Sequence, residues 1–187
     1  ATLDHLTAGR AAWNVVTSVN DAEAQNFGLQ QHLGHDERYD QADEFLEAVT
    51  GLWDSWQDGA VQWDRENRVF ADPAKVHELN YRGRYYDVRG PLTVPRGPQG
   101  RPVLIQAGSS GRGHAFAARW ADCVFTNNPE LARSVANYRI QKAEVAAAGR
   151  DPDHVAILPL VYVIVAETEA DRKSTRLNSS HITISYA

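Results

Sequence analysis

The segment that most constrains the fold is Pro102-Val103-Leu104-Ile105-Gln106-Ala107, an almost unbroken apolar run closed by Gly108-Ser109-Ser110-Gly111. A strand with one wet face alternates apolar and polar residues. A run this continuous instead reads as a strand buried on both faces, the signature of a parallel sheet. The glycine turn feeds an Ala-rich helix ending near Ala121, and Asp122 to Thr126 reads as the next strand. Asn128-Pro129-Glu130 supplies a cap, a first-turn proline and an acidic residue, opening a helix that Gly149 ends. Asp151-Pro152-Asp153 is a turn, and Val155 to Ala166 reads as the last strand.

Upstream, Trp13 to Thr17 is a short β-branched run and reads as a strand, followed by a polar segment from Asn20 to Gly34. The clearest helix starts near His35 or Asp36. Its apolar positions Tyr39, Ala42, Phe45, Leu46, Val49, Leu52, Trp53 and Trp56 follow the 3.6-residue period of one helical face. Residues 57–101 are irregular: a short helical turn at Asp72–Lys75, a hairpin from Leu79 to Val88 turning at Arg82-Gly83, and a Pro/Gly-rich extended loop. Strands alternating with helices give an α/β fold with a parallel sheet and right-handed crossovers. About four such strands fit an open doubly wound sheet or half of a (β/α)8 barrel, which takes ~250 residues when complete.

The chain has 187 residues. With 19 basic and 24 acidic side chains it is net acidic and carries no basic run, so nucleic-acid binding has no support. Its longest apolar stretch, Ile157 to Ala166, contains Pro159 and is too short to cross a bilayer. One cysteine, Cys123, leaves no disulfide framework or cysteine zinc site and fits a reducing cytoplasm; its place in a strand points to the core. The chain has no Met, and Ala1 reads as lying inside an element, so the chain is expected to be a fragment. Ser and Thr crowd residues 173–187, which carry no helical period and resemble translated adapter-type sequence. The domain is therefore expected to span residues 1–172, with a foreign tail behind it.

Three segments carry candidate chemistry. Asn14, Thr17 and Ser18 punctuate the C-terminal end of the first strand, where ligands of parallel barrels sit, and a carboxamide suits the edge of a heteroaromatic ring. Thr17 and Ser18 could equally cap the loop. His35 and Tyr39, four residues apart, share one face of a helix N-terminus, where free N–H groups favour an anion such as phosphate. They could equally be a cap and the first residue of the apolar stripe. A metal site among His32, His35, Asp36 and Glu37 is disfavoured, because His32 lies on another side of the helix and no second His cluster completes it. Gly108-Ser109-Ser110-Gly111-Arg112-Gly113, between a buried strand and a helix, suits a phosphate approached by backbone and hydroxyls. A plain tight turn is the alternative. The spacing is not the dinucleotide fingerprint, and the acidic residue expected ~20 positions later is missing. No G-x-S-x-G elbow is present. Trp13 and Trp63 could line a pocket but read more simply as core.

The run Leu3 to Arg10 followed by Ala12-Trp13-Asn14-Val15-Val16-Thr17-Ser18 resembles the bacterial luciferase-like superfamily. Within it, the likeness is to flavin-dependent monooxygenases such as the nitrilotriacetate, EDTA, dibenzothiophene-sulfone and long-chain alkane enzymes. Asn26-Phe27-Gly28, His35 to Tyr39, Gly51 to Trp56, Gly90-Pro91-Leu92 and Pro95 to Ser110 carry the same resemblance. It implies a partial (β/α)8 TIM barrel with an insertion. It implies that Asn14 and Thr17 face the ring of FMN, that His35 and Tyr39 reach its phosphate side, and that Ser110, helped by Ser109, holds the phosphate. It also implies a two-component monooxygenase that receives reduced FMN from a separate NAD(P)H-dependent flavin reductase, oxygenates a small organic substrate, and is a homo-oligomer at full length. No catalytic residue is assigned within the segment. A deazaflavin (F420)-dependent oxidoreductase of the same superfamily is the alternative, as is an inactive fragment.

Overall fold

A computed structural model describes residues 1–173 except 129, 162 and 164. The expectations for the tail after Lys173 and for Pro129 therefore lie outside the described residues. Four parallel strands form the central sheet: β1 (Ala12–Asn14), β6 (Val103–Gln106), β7 (Cys123–Thr126) and β8 (Ala156–Pro159), side by side in that order. Helices α3 (His35–Asp54), α4 (Gly111–Trp120) and α5 (Leu131–Ala147) make the crossovers between successive strands. Two short helices, α1 (Thr2–Leu6) and α2 (Asp21–Gln25), flank β1. The insertion after α3 holds two hairpins, β2 (Val61–Asp64) with β3 (Val69–Ala71), and β4 (Tyr81–Arg82) with β5 (Asp87–Val88). The α/β class, the four parallel strands and the insertion are as the sequence implied.

All the helix-borne core lies on one side of the sheet. Val15, Leu104 and Phe116 pack with Tyr39 and Leu46 of α3, while Val124 and Val155 pack with Ala117, Ala118 and Val145 between α4 and α5. Register fixes the other side: Asn14 aligns with Ile105, Ile105 with Cys123, and Cys123 with Ala156, so these side chains share the opposite face. Among the described residues nothing covers that face, and Val16, Phe125 and Leu158 are exposed on it. Two expectations change accordingly. β6 is buried at Leu104 and Gln106 but only half-buried at Val103 and Ile105, and Cys123 is half-buried on the bare face rather than in the core.

α3 is covered twice. Its Tyr39 and Leu46 face the sheet, as the apolar period implied. Ala48, on the opposite side of the helix, is also buried because the insertion packs there, with Leu79 2.6 Å from where a Cβ on Gly51 would stand; Thr50 shares the sheet-facing side with Leu46 and donates its hydroxyl to the Leu46 carbonyl at 2.7 Å. Phe45 and Val49, placed in the stripe by period alone, are not fully buried. The Glu44 carboxylate accepts the N–H groups of Arg84, Tyr85 and Tyr86 at 2.9, 2.7 and 2.6 Å and so pins the tip of the second hairpin to α3. The turn closes from Gly83 N–H to the Tyr86 carbonyl, so it lies at residues 83–86 and Arg82 belongs to the strand before it. The Glu47 carboxylate accepts from the Tyr81 hydroxyl at 2.7 Å and tethers the base of the same hairpin.

Other boundaries moved for local reasons. α2 sits inside the segment read as polar loop, opened by Asn20, whose side chain accepts from Ala22 N–H. Ala1 precedes α1 as its N-cap rather than lying within an element. α5 opens after Glu130, not Asn128; the Asn128 side chain is instead bonded to Asn137. Gly149 follows α5 at φ +78, a conformation that an L side chain resists. β8 ends at Pro159, well before Ala166.

Candidate functional site

Parallel pairing puts the C-terminal ends of β1 and β6 side by side, with Val15 N–H donating to the Ile105 carbonyl at 2.8 Å. The loops leaving these two strands lead to the N-termini of α3 and α4 at that same end. Each terminus offers N–H groups that no intrahelical carbonyl reaches. α3 starts after Gly34 with no side-chain cap. α4 is capped by Ser110, whose hydroxyl oxygen accepts Gly113 N–H at 3.0 Å, while the Gly111 and Arg112 N–H groups have no acceptor among the described residues; no acidic residue stands in its first turn. Two positive dipole ends thus meet at one rim.

Tyr39 joins the two termini. Its ring is buried, tilted against Phe116 at 5.5 Å and against His35 at 5.3 Å between centroids. Its hydroxyl oxygen reaches the glycine loop so closely that a Cβ on Gly108 would stand 2.7 Å from it, and one on Gly113 2.8 Å. Neither glycine has a positive φ, so these residues serve close approach rather than a tight turn. Among the described residues the Tyr39 hydroxyl forms no hydrogen bond. Its O–H is available to an acceptor at the rim.

The remaining candidates divide. Ser109 is exposed beside Ser110, and the Ser110 hydroxyl, already accepting from Gly113, retains its own proton to donate. His35 is half-exposed, with Nδ1 2.6 Å from Asp36 Oδ1. Thr17 does not stand with this group. With Ser18 it lines an adjoining cleft of about 570 Å³ walled by Phe27, Phe45 and Tyr86. Asn14 is exposed at the end of β1, on the bare face of the sheet. Among the described residues no three His, Cys, Asp or Glu side chains gather in a way that could hold a metal. Trp63 is not core: it is 71% exposed and lines a second cleft, with Trp56 and His5, near the loop that precedes β6.

Sequence reading missed Arg112 and Gln106 at the rim, and Glu44, which anchors the hairpin tip to α3. The Arg112 guanidinium, within the glycine-rich turn in sequence, is drawn to Asp40 at 2.8 Å and Asp43 at 2.5 Å. Both carboxylates raise its already high pKa against the opposing effect of burial. Glu44 looked like one more polar residue on a helix. Gln106 was visible as the lone polar residue in an apolar strand, directly before the glycine turn; it is buried, and its side-chain oxygen accepts the Gly108 N–H.

The luciferase-like monooxygenase family matches residues 1–185. Dibenzothiophene-sulfone monooxygenase of Rhodococcus erythropolis is 57% identical over 170 residues, covering 91% of this chain and 38% of the relative. Nitrilotriacetate monooxygenase component A of Aminobacter aminovorans is 49% identical over 174 residues, covering 93% and 38%. A crystal structure of riboflavin lyase with modified FMN and riboflavin superposes with a TM-score of 0.87 at 36% identity, covering 94% of this chain and 39% of that one. The chain thus spans well under half the length of the relatives it matches. Its parallel α/β sheet is part of the TIM-barrel architecture those proteins share. On sequence, sheet order and the matching span, the chain belongs to the luciferase-like monooxygenase family.

Proposed function

We propose that this chain is the central part of a longer, two-component monooxygenase that uses reduced FMN, and that its rim holds the phosphate end of the flavin. The observation that carries the reading is the meeting of the Tyr39 hydroxyl with the Ser110-capped N-terminus of α4. The site suits a dianion: the N–H groups at Gly111 and Arg112, hydroxyl protons on Tyr39, Ser109 and Ser110, and no carboxylate in the first turn of α4. His35 adds a donor from α3. With Nδ1 on Asp36, its Nε2 donates only when the ring is doubly protonated. Thr17, at the wall of the adjoining cleft, and Asn14, at the end of β1, are the residues that would face the flavin ring.

The chemistry a bound reduced flavin supplies is two-electron activation of dioxygen, one atom going to an organic substrate and the other to water. This chain's residues bind and orient, and the apolar walls of the cleft exclude water from the reacting end. The relative named as a component A favours a separate reductase as the electron source.

The test is an anaerobic titration of the full-length protein carrying this segment with reduced FMN, followed by oxygen in the presence and absence of a flavin reductase. The reading expects saturable binding and product formation that depends on the reductase when NAD(P)H is the only reductant. Absence of reduced-FMN binding contradicts it.

A further inference from the structure

Gln106 is the one polar residue of β6 buried on the helix-facing side of the sheet, 4% exposed beneath the α3–α4 junction. Its strand neighbours make no use of a carboxamide there, and a buried amide without a partner is costly. The Oε1 oxygen accepts the N–H of Gly108, two residues on. A Cβ at Gly108 would lie 2.8 Å from Gln106 Nε2, 3.0 Å from its Oε1 and 2.7 Å from the Tyr39 hydroxyl. Amide, hydroxyl and glycine backbone therefore converge on one point. The same hydroxyl bounds Gly113, whose Cβ would also stand 3.1 Å from Ser110 Oγ.

We infer that Gln106 is a positioning residue for the phosphate grip: by holding Gly108 N–H it sets the path of the loop, and so fixes where Ser109, Ser110 and the first N–H groups of α4 stand relative to the Tyr39 hydroxyl. The inference rests on the flavin reading above. The bond also removes Gly108 N–H from the donors a ligand could use, so Gln106 acts on the loop and not on the ligand. The arrangement bears on the phosphate end alone, because Thr17 and the cleft wall around it belong to other elements.

Riboflavin, which lacks the phosphate, makes the distinction measurable. In the full-length protein, dissociation constants for FMN and riboflavin are compared by fluorescence titration in wild type, Gln106→Met and Gln106→Glu, with the unfolding midpoint of each ligand-free protein. Gln106→Met keeps the volume and removes the acceptor. It is expected to weaken FMN on the order of tenfold to a hundredfold while riboflavin stays within about twofold of wild type. Gln106→Glu keeps an oxygen on the same carbon but sets a carboxyl group beneath a site suited to a dianion, so it is expected to weaken FMN at least as much as Gln106→Met while riboflavin again stays near wild type. If Gln106→Met does not fold, Gln106→Asn, which withdraws the oxygen by one methylene, takes its place with the same expectation. Equal loss of both ligands, or unchanged FMN binding in a folded variant, overturns the positioning role. A wild-type protein with no preference for FMN over riboflavin overturns both this inference and the cofactor reading beneath it.

Discussion

The two faces of the central sheet are made from the same strands and have opposite fates. On one, Val15, Leu104, Val124 and Val155 are buried under α3, α4 and α5. On the other, Val16, Phe125 and Leu158 are 60%, 46% and 38% exposed. Near-continuous apolar strands belong to sheets covered on both sides. Helices of this chain supply one cover, and the apolar residues of the other face require a second. The difference teaches that apolar character along a strand reports how many faces need covering, whereas alternation in burial reports how many are covered by the chain in hand. The rim proposed to hold the phosphate belongs to the covered face: the contacts among Gln106, Tyr39, Gly108 and Gly113 that shape it come from β6, α3, α4 and the glycine loop.

The largest expected effect separates the faces directly. Phe116 is 1% exposed and touches Tyr39, so Phe116→Ala should cost about 3–5 kcal/mol in urea unfolding. Phe125→Ser, on the bare face, should cost this chain no more than about 0.5 kcal/mol. Comparable losses at the two sites would erase the distinction. Next, the exposed face and the open edges of β1 and β8 should make the isolated chain self-associate and bind a hydrophobic dye. A double change, Phe125→Ser with Leu158→Ser, should lower both signals. A soluble monomer with a sharp thermal transition and no dye binding would show that the face is not a liability.

On the covered side, Ser110→Ala should cost about 1 kcal/mol of stability through the lost cap on Gly113 N–H, with Ser109→Ala close to neutral. Both should weaken FMN more than riboflavin. The smallest effect is a pH dependence of the tether between α3 and the insertion. The hydrogen bond from the Tyr81 hydroxyl, and then Arg119, hold the Glu47 carboxyl below its ordinary value of 4.5. Burial and then Glu47 push the Tyr81 phenol up to about 12. The depressed carboxyl stabilises the fold above pH 4.5, and that contribution is lost as pH falls through its lower folded value. The raised phenol contributes fully below pH 10, and its share is lost as pH rises from 10 toward 12. Unfolding midpoints should therefore decline at both ends, and Tyr81→Phe should flatten the alkaline limb.

Much of this was legible in the sequence because it depends on local pattern. The apolar run 102–107, the glycine turn and the 3.6-residue period after His35 are enough to order the parallel strands and helices. The nearness of Tyr39 to Ser110 follows once parallel pairing is granted, since both helix starts must then share one end of the sheet. What stayed hidden depends on partners distant in sequence. Ala48 is buried on the side of α3 where a later insertion packs, and Glu44 looks surface-bound until the hairpin tip at residues 84–86 folds back onto it. Arg112 sits where a phosphate ligand would be guessed, yet Asp40 and Asp43 claim it. The glycines of the rim read as turn formers, whereas their φ values and the approach of the Tyr39 hydroxyl show that they make room. Thr17 shares a cleft with residues of α2, and Asn14 ends β1 on the exposed face, so neither joins the residues proposed to hold the phosphate.

Amide hydrogen exchange of the full-length protein, with and without FMN, tests the location of the grip most directly. The account predicts slowed exchange across residues 35–39 and 108–113, with riboflavin failing to protect the second segment. Unchanged exchange in both segments, or protection confined to the Trp56–Trp63 cleft, would contradict it.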